Sequence, residues 1–404
     1  MRPSSSCRRV HPVLVSLVLG GCAGGLPFLS TSSTPGDAAP PRPTPLTPIA
    51  LEAFVPRVEV HVHAHPAVEV RIDELLSSPV LRDPDFERAL GSWVAYWRGP
   101  AAPALPDFLG RMAVFEALVD SALAASAMPP SLRYLPFIES GYNPSAASRT
   151  RAVGMWQFME ATARERGMEV SPLLDQRRDP VRATAEAVAF LSELRGEFGS
   201  WFWALAAYNG GPNRARRILR SYAPGAPPSD SLFWALRARF PRETRDFVPK
   251  LIGAVRVAGD PGHGVELTPV GEFRFDEVRV PDATTLDVVA RAAGAPQQEI
   301  ERLNPQYVRR MTPPGRASAV RVPAGRGRAF EAAYAGIPPE ERVTFVMHRV
   351  AQGETLSHIA VRYGVRVGDI EAANPSIRPR YLRVGGTLTI PAAPSARRTV
   401  QTGS

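Results

Sequence analysis

The 404-residue sequence is long enough for two or three domains. Its formal charge is +9, but nearly all of its basic residues are arginines scattered among acids, and Lys250 is the only lysine. No basic stripe with interleaved aromatic side chains occurs, so nucleic acid is not an expected partner. The two cysteines, Cys7 and Cys22, lie near the N-terminus, which excludes a disulfide framework or a thiol nucleophile in the body of the chain.

The N-terminal segment has the layout of a secretory signal peptide. Basic residues up to Arg9 precede the apolar run 13–19, which is too short to span a bilayer as a mature helix. The Leu-Gly-Gly-Cys sequence at 19–22 resembles a bacterial lipoprotein box, which implies that Cys22 is acylated and that Ala23 directs the protein to the outer membrane. We therefore expect a signal peptide over 1–21 and a lipoprotein on the periplasmic face of the outer membrane. The alternative is an ordinary cleaved signal with an incidental cysteine.

Residues 22–70 form a predicted tether, because a segment rich in Pro, Thr, Ser and Ala cannot bury enough apolar surface to fold. Near its end His61, His63 and His65 alternate, and in a strand all three imidazoles would share one face. Such a set could bind a metal ion, but the sequence places no carboxylate or cysteine beside it. We favour a solvated strand at the edge of the tether over a metal site.

Residues 71–265 have helical spacing of apolar residues and no alternating strand pattern, which predicts an all-α domain. A first apolar stripe includes Phe86, Leu90 and Trp97, with Asp83 or Asp85 available as the N-cap. A short helix is expected to end at Glu139. The further predicted helices cover 108–122, 180–198, 201–208, 213–222 and 242–257.

The C-terminal part contains an internal repeat. Residues 272–324 and 344–392 each read as a strand, two short helices and a returning strand, and each second helix is followed by Asn-Pro, at 304–305 and 374–375. A linker with Gly, Arg and Pro over 324–342 is expected to separate the two units, and a short tail covers 393–404.

Glu139 is the first candidate for chemistry. It follows four uncharged residues, Leu135–Ile138, and Gly141 is a natural helix stop because glycine adopts the left-handed conformation without a steric penalty. Desolvation and the negative end of the helix dipole both disfavour a carboxylate there, so both raise its pKa toward that of a general acid at neutral pH. Without further motifs, a partly exposed glutamate at a helix end is the simpler interpretation.

The second repeat resembles a LysM module over its whole length, with the Gly-Glu-Thr-Leu-Ser loop at 353–357 and Gly-Gly-Thr-Leu at 385–388. LysM modules bind polymers that contain N-acetylglucosamine, in a shallow groove between the first loop and the end of the second helix. The resemblance implies a glycan-binding set of Gly353, Thr355, Leu356, Asn374 and Pro375. The alternative is a structural domain that binds nothing. The first unit has Asp-Ala-Thr-Thr-Leu at 282–286 instead, so we interpret it as a degenerate copy.

Residues 132–222 resemble the lytic murein transglycosylases. The resemblance rests on three motifs: Glu139-Ser140, the Gly-Met-Trp-Gln stretch at 154–157 and the Ala-Tyr-Asn stretch at 207–209. The C-terminal LysM unit indicates the membrane-bound D type. The resemblance implies a multidomain protein in which an all-α, goose-type lysozyme-like (SLT) catalytic domain precedes two small α+β (βααβ) LysM-like domains. It implies Glu139 as the single acid/base and a glycan cleft lined by Ser148, Gln157, Met159, Tyr208 and Asn209.

The resemblance also implies a reaction. No Asp or Glu lies between Glu139 and Glu160, and a one-carboxylate site suits substrate-assisted cleavage of the MurNAc-β-1,4-GlcNAc bond with closure of a 1,6-anhydro ring. The sequence leaves open whether the fold brings a second carboxylate to the site. We expect a monomer that binds peptidoglycan and a membrane, and that needs no metal and no cofactor. The alternatives are a hydrolytic muramidase of the same fold and a non-catalytic wall-binding protein.

Overall fold

A computed structural model describes residues 59–61, 73–260, 271–374, 377–378 and 382–391, all within the compact unit Ala50–Ser404. Several sequence predictions fall outside these residues and are not addressed by the fold. They are the signal peptide 1–21, Cys22, most of the tether, His63, His65, Pro375 and the tail 393–404.

The chain from 73 to 260 folds into helices, and its β structure is limited to isolated bridges, as the all-α prediction requires. None of the helices in the described ranges is both long and apolar enough to cross a membrane. The helices are α1 (Pro84–Arg98), α2 (Leu105–Ala125), α3 (Tyr134–Ser140), α4 (Glu160–Glu165), α5 (Pro180–Phe198), α6 (Trp201–Gly210), α7 (Pro212–Tyr222), α8 (Asp230–Leu236), α9 (Arg242–Arg245) and α10 (Phe247–Ala258).

Two differences from the predicted helices have a local cause. Helices α4 and α8 were not predicted, because helices of 6 and 7 residues hold fewer than two full apolar periods. The single helix predicted over 242–257 is divided at Asp246, which lies between α9 and α10. The division places the short helix α9 beside the end of α6, where Gly210 packs closely against Thr244.

Helix α6 is the centre of the helical domain. Every residue from Trp201 to Ala207 is buried, as expected for a helix that is apolar all round. Ser200 caps its N-terminus by accepting a hydrogen bond from the Trp203 amide. The Trp203 ring packs edge-on against Phe233 and Phe240, which fixes the helix laterally. The last turn of α6 therefore has a defined position, and this turn contains Tyr208 and Asn209.

The C-terminal part forms two separate small sheets. In the first, β1 (Glu59–His61), β2 (Phe275–Val280) and β3 (Ser318–Pro323) pair antiparallel in that order, with α11 (Leu286–Ala293) and α12 (Gln297–Leu303) between β2 and β3. In the second, β4 (Phe345–Arg349) pairs antiparallel with β5 (Thr387–Pro391), with α14 (Leu356–Tyr363) and α15 (Val367–Ala373) between them. Both units have the predicted βααβ order. The predicted edge strand at His61 is present, so the tether boundary at 70 was wrong for residues 59–61.

The two asparagines of the Asn-Pro pairs make the same hydrogen bonds in both units. Asn304 Nδ2 donates to the carbonyl oxygens of Ile300 and Arg321, and its Oδ1 accepts from the Arg321 amide. Asn374 Nδ2 likewise donates to Ile370 and Thr389, and its Oδ1 accepts from the Thr389 amide. Each asparagine thus ties the end of the second helix to the returning strand. This shared network supports the internal repeat in three dimensions.

The predicted linker 324–342 was wrong in part. Residues Gly327–Ala335 form helix α13, whose Phe330 and Tyr334 side chains are buried in the core of the first unit. The Gly327 amide donates to Asp276 Oδ2 on β2 at 2.8 Å, which holds the start of the helix. The Gly, Arg and Pro content suggested a linker, but the i, i+4 spacing of the two aromatics already marked a helix with one apolar face.

The first small unit packs directly on the helical domain. The Asp175 amide donates to the Gln306 carbonyl at 2.9 Å, and Leu174 forms a β-bridge with Tyr307. Arg321 Nη2 contacts both carboxylate oxygens of Asp179 at 2.8 and 2.9 Å, and both side chains are buried. The Arg321 guanidinium also lies 4.9 Å from the centre of the Phe275 ring. The degenerate repeat is therefore a structural extension of the helical domain.

We predict that Arg321→Met destabilises the protein by roughly 2 to 4 kcal/mol, because the buried Asp179 carboxylate loses its partner. A matched control is Arg316→Gln, which removes a more exposed pair with Glu169 across the same contact and should cost below about 1 kcal/mol. Urea unfolding of both variants measures the difference. Equal effects of the two substitutions would contradict the importance assigned to the buried pair.

Candidate active site

Glu139 lies in the last turn of α3, and a glycine ends that helix for a steric reason. Gly141 has a φ of 58°, and a Cβ placed on it would lie 2.5 Å from the Phe108 ring. Arg111 Nε donates to the Gly141 carbonyl at 2.6 Å, which fixes the chain after the turn. Leu135, Pro136, Phe137 and Ile138 are all buried. The helix ends at Ser140, one residue after the predicted end, and its packing fixes the position of Glu139.

The Gly-Met-Trp-Gln stretch is a tight turn whose shape requires glycine. Gly154 has a φ of 88°, and a Cβ there would lie 1.8 Å from the Arg177 carbonyl oxygen, so no other residue fits without a backbone shift. Gln157 has a φ of 51°, which is strained for a residue with a side chain. Its Nε2 donates to the Gly154 carbonyl at 2.8 Å. Ser140 Oγ donates to the Met155 carbonyl at 2.9 Å and joins this turn to α3.

The last turn of α6 is joined to the same structure. Tyr208 Oη donates to the Trp156 carbonyl at 2.8 Å, so its hydroxyl proton is used to hold the turn. Asn209 Oδ1 accepts from Thr244 Oγ1 at 2.8 Å. Asn209 is the penultimate residue of α6 and not its C-cap, since the helix continues to Gly210. These contacts bring four separated segments of the chain to one place.

The four segments enclose a cleft of about 490 Å³ that is lined by all six residues named from the sequence for catalysis and glycan contact. Met159 is 46% exposed there, which is unusual for so apolar a side chain. Ser148 Oγ accepts from the Ala152 amide at 2.9 Å and shapes the loop at the rim. The further lining residues that sequence reasoning did not assign to the cleft include Thr150, Thr162, Phe190, Glu243 and Lys250.

The pKa of Glu139 is raised to about 7, mainly because protein atoms replace water around its carboxyl group. The Lys250 ammonium acts in the opposite direction, and the Glu243 carboxylate adds a smaller increase. Burial and then the charge of Glu139 raise the pKa of Tyr208 well above its ordinary value, so that phenol stays protonated. At neutral pH Glu139 is therefore present in both protonation states, which is the condition for a group that donates and then accepts a proton.

Lys250 contacts the helix of Glu139 with its side chain and helix α1 with its backbone. Its Nζ donates to the Ile138 carbonyl at 3.0 Å, so the ammonium pairs with a helix-end carbonyl next to Glu139. Its backbone carbonyl accepts from Trp97 Nε1 at 3.3 Å, which anchors α10 against α1. Burial lowers the pKa of Lys250, while Glu139 and then Glu243 raise it. The sequence offered one signal for a special role of Lys250, which is that it is the single lysine among many arginines.

Glu243 changes the expectation of a single carboxylate at the site. It lies on α9, its side chain is exposed, and it lines the same cleft as Glu139. The sequence was searched for a second carboxylate only between Glu139 and Glu160, whereas Glu243 follows Glu139 by about a hundred residues. The sequence left open whether a second carboxylate lies near Glu139, and the fold places Glu243 in the same cleft.

The LysM-like loop at 353–357 is built by a buried network. Gly353 has a φ of 79°, and Thr355 Oγ1 caps α14 by accepting from the His358 amide at 3.3 Å. Glu354 accepts from His348 Nε2 and from the Ala351 amide, both at 2.7 Å. Leu356 is buried, and Asn374 uses both ends of its amide inside the domain. For Leu356 and Asn374 we therefore replace the predicted glycan contact by a structural role.

Within the described ranges no group of three or more His, Cys, Asp or Glu side chains could hold a metal ion. His63 and His65 lie outside those ranges, so the metal hypothesis for the alternating histidines is not addressed.

Comparison with protein families identifies the domains. Residues 118–226 match the transglycosylase SLT domain. The helical domain is an SLT domain. Residues 274–338 match the LysM-like domain of lytic transglycosylase MltD, and residues 348–391 match the LysM domain. The predicted fold class is thereby confirmed, and the first LysM-like unit includes α13, which the sequence reasoning had assigned to a linker.

Among curated proteins, the membrane-bound lytic murein transglycosylase D of Escherichia coli (strain K12) is 30% identical over 286 residues, which is 67% of this chain and 62% of that protein. The chain thus spans less than two thirds of this relative. The soluble lytic transglycosylase SLT70 of Escherichia coli matches 46% of this chain and 32% of its own at 24% identity, with a TM-score of 0.32. The family matches define the domains.

We predict that Lys250→Met raises the pKa of Glu139 further, because the substitution removes the charge that favours its carboxylate form. Protonated Glu139 would then persist to higher pH. The alkaline limb of the pH profile of kcat/KM should move up by roughly one unit, measured as the initial release of soluble product from peptidoglycan. Lys250→Arg keeps the charge and is the control. A limb that stays in place or moves down in the Met variant would contradict this assignment.

Proposed function

We propose that the protein is a lytic transglycosylase that cleaves the MurNAc-β-1,4-GlcNAc bond of peptidoglycan and forms 1,6-anhydroMurNAc. The observation that carries this proposal is Glu139, a carboxyl group with a pKa of about 7 in the cleft of an SLT domain. Its protonated and ionised forms are both available at neutral pH, so one residue can serve as the acid and then as the base.

Glu139 alone accounts for both proton transfers of the reaction. Protonated Glu139 donates its proton to the glycosidic oxygen while the bond from that oxygen to C1 of MurNAc breaks, and the acetamido group of the sugar stabilises the cation-like centre. The Glu139 carboxylate then accepts the proton of the C6 hydroxyl as O6 bonds to C1. Glu139 ends the cycle protonated. The C6 hydroxyl reacts faster than water because it belongs to the same sugar and has a high effective concentration.

The amides of the cleft suit the polar groups of an N-acetylated sugar. Asn209 Oδ1 is engaged by Thr244, whereas its Nδ2 has no protein partner among the described residues. Gln157 Nε2 is engaged by Gly154, whereas its Oε1 has no partner within the same ranges. Nδ2 of Asn209 can thus donate to an acetamido carbonyl, and Oε1 of Gln157 can accept from an N–H or hydroxyl. Ser148 and the exposed Met159 complete the proposed sugar contacts, and Tyr208 positions the Gly154–Gln157 turn.

The other domains would keep the enzyme on its polymer. Gly353 and Thr355 remain candidates for glycan contact, and Pro375 stays a prediction outside the described residues. A LysM domain that binds the same strand raises the local substrate concentration without adding contacts at the cleft. We further propose a lipoprotein that is acylated at Cys22 and acts as a monomer on the periplasmic face of the outer membrane. The signal sequence and the membrane-bound relative support this location.

We predict that Glu139→Gln lowers the release of anhydro products from isolated sacculi by about 10²- to 10⁴-fold, because an amide cannot donate and retrieve the proton. Mass spectrometry of the digest identifies 1,6-anhydro ends. Sedimentation with sacculi should show unchanged binding, since the LysM domain is untouched. Near-normal turnover by this variant would refute the assignment of Glu139, and a wild-type protein that binds sacculi but releases nothing would indicate a non-catalytic wall-binding protein.

A hydrolytic muramidase is the second candidate, because Glu243 places another carboxylate at the cleft. Hydrolysis commonly uses a second carboxylate to activate water or to attack the sugar. The product would then carry one additional water and a reducing end in place of the anhydro ring.

We predict that Glu243→Gln retains anhydro product formation with a rate within about tenfold of the wild type, because the reacting hydroxyl needs no second base. The change should slightly lower the pKa of Glu139, since Glu243 raises it. Glu340→Gln, at an exposed carboxylate outside the cleft, is the control. Reducing-end products from the wild type, lost by more than about 100-fold in Glu243→Gln, would favour the muramidase.

A further inference from the structure

A second cavity lies beside the catalytic cleft and has a strongly basic lining. Its volume is about 370 Å³, and its walls come from helix α7 and from the segment that leads into α9. The lining residues are Arg214, Arg217, Ile218, Ser221, Tyr222, Arg239, Phe240 and Pro241. Three of these eight residues are arginines, and none is acidic.

The three arginines have no acidic partner among the residues that the structure describes. Within the described part of the chain, Arg214, Arg217 and Arg239 form no ion pair with a carboxylate, and Arg239 lies over the Tyr222 ring at 4.2 Å. Arg216 on the same helix differs, because its guanidinium donates two hydrogen bonds to Glu197 at 2.6 and 2.7 Å. The cavity therefore concentrates positive charge that an anion could pair with.

The cavity and the catalytic cleft are bordered by the same two chain segments. Gly211 and Pro212 line the cleft at the start of α7, and the helical rise places Arg214 and Arg217 within about 10 Å of them along the helix axis. On the other side Glu243 lines the cleft, two residues after Pro241 of the basic cavity. A group attached to a sugar in the cleft can thus reach the arginines.

We propose that this arginine cavity binds carboxylates of the peptide stem carried by the glycan strand in the cleft. The inference rests on the proposed function, because peptidoglycan is the substrate whose sugars carry peptides with free carboxylates. The planar guanidinium matches a carboxylate in two parallel hydrogen bonds, and the exposed position of Arg217 and Arg239 leaves their donors available. The cavity would make stem-bearing strands better substrates than strands whose stems carry no charge.

The test combines a double variant, Arg217→Gln with Arg239→Gln, with two substrates. One is native sacculi, and the other is sacculi whose stem carboxylates have been converted to amides. Initial rates of anhydro product release give KM and kcat for each pair. Arg216→Gln is the matched control, since it changes an arginine on the same helix that is already paired with Glu197.

For the wild type, amidation should raise KM by about threefold to tenfold, the range for charge-assisted contacts at a partly solvated site. The double variant should show this raised KM on native sacculi and no further change on amidated sacculi, with kcat nearly unchanged. The control should behave as the wild type. Raising the salt concentration should weaken the discrimination by the wild type, because exposed charge pairs are screened.

Three results would overturn the proposal. The first is a wild type that does not distinguish the two substrates, and the second is a double variant that still discriminates between them. The third is loss of binding to vesicles of anionic phospholipid in the double variant with unchanged kinetics on sacculi, which would assign the cavity to a membrane surface. If the wild type releases no anhydro product, the proposed function is wrong. The arginine cavity is then still tested by sedimentation of the wild type and the variants with native and amidated sacculi.

Discussion

The candidate active site depends on one carboxyl group that protein atoms largely surround at the end of a short helix. Glu139 obtains its raised pKa from the packing of protein around it, and the buried residues Leu135–Ile138 fix the helix that carries it. Gly141 permits the chain to turn away immediately afterwards. Lys250 limits the shift by placing an ammonium group at the neighbouring carbonyl. Burial raises the pKa to about 7, the charge of Lys250 opposes this increase, and Glu243 adds to it.

Several of the hydrogen bonds that hold the cleft together are accepted by backbone carbonyls. Ser140 and Tyr208 each donate to a carbonyl of the Gly154–Gln157 turn, and Thr244 orients Asn209. Residues that the family motif marks as functional therefore divide into two groups. One group, with Gln157 and Asn209, has polar atoms at the cleft that no residue in the described ranges engages. The other, with Ser140 and Tyr208, positions the segments on which those atoms lie.

The first LysM-like unit is connected to the cleft through a continuous set of contacts. The Asp175 amide pairs with Gln306 of that unit, and its carboxylate pairs with Arg177. The Arg177 carbonyl in turn occupies the space that a side chain at position 154 would need. The unit therefore supports the segment against which the catalytic turn packs. This arrangement gives a structural role to a repeat that lacks the Gly-Glu-Thr-Leu loop.

The sequence alone determined the fold class, most of the longer helices and the βααβ order of the two small units, and its resemblance to a family named the cleft residues. The first three follow from local patterns, namely apolar periodicity and glycine at a helix end. The tertiary structure decided what depends on contacts between distant segments. Lys250 and Glu243 join Glu139 only through folding, and Leu356 and Asn374 prove to be used inside their domain. Side-chain orientation and electrostatic coupling are properties of the packed chain, so no local pattern contains them.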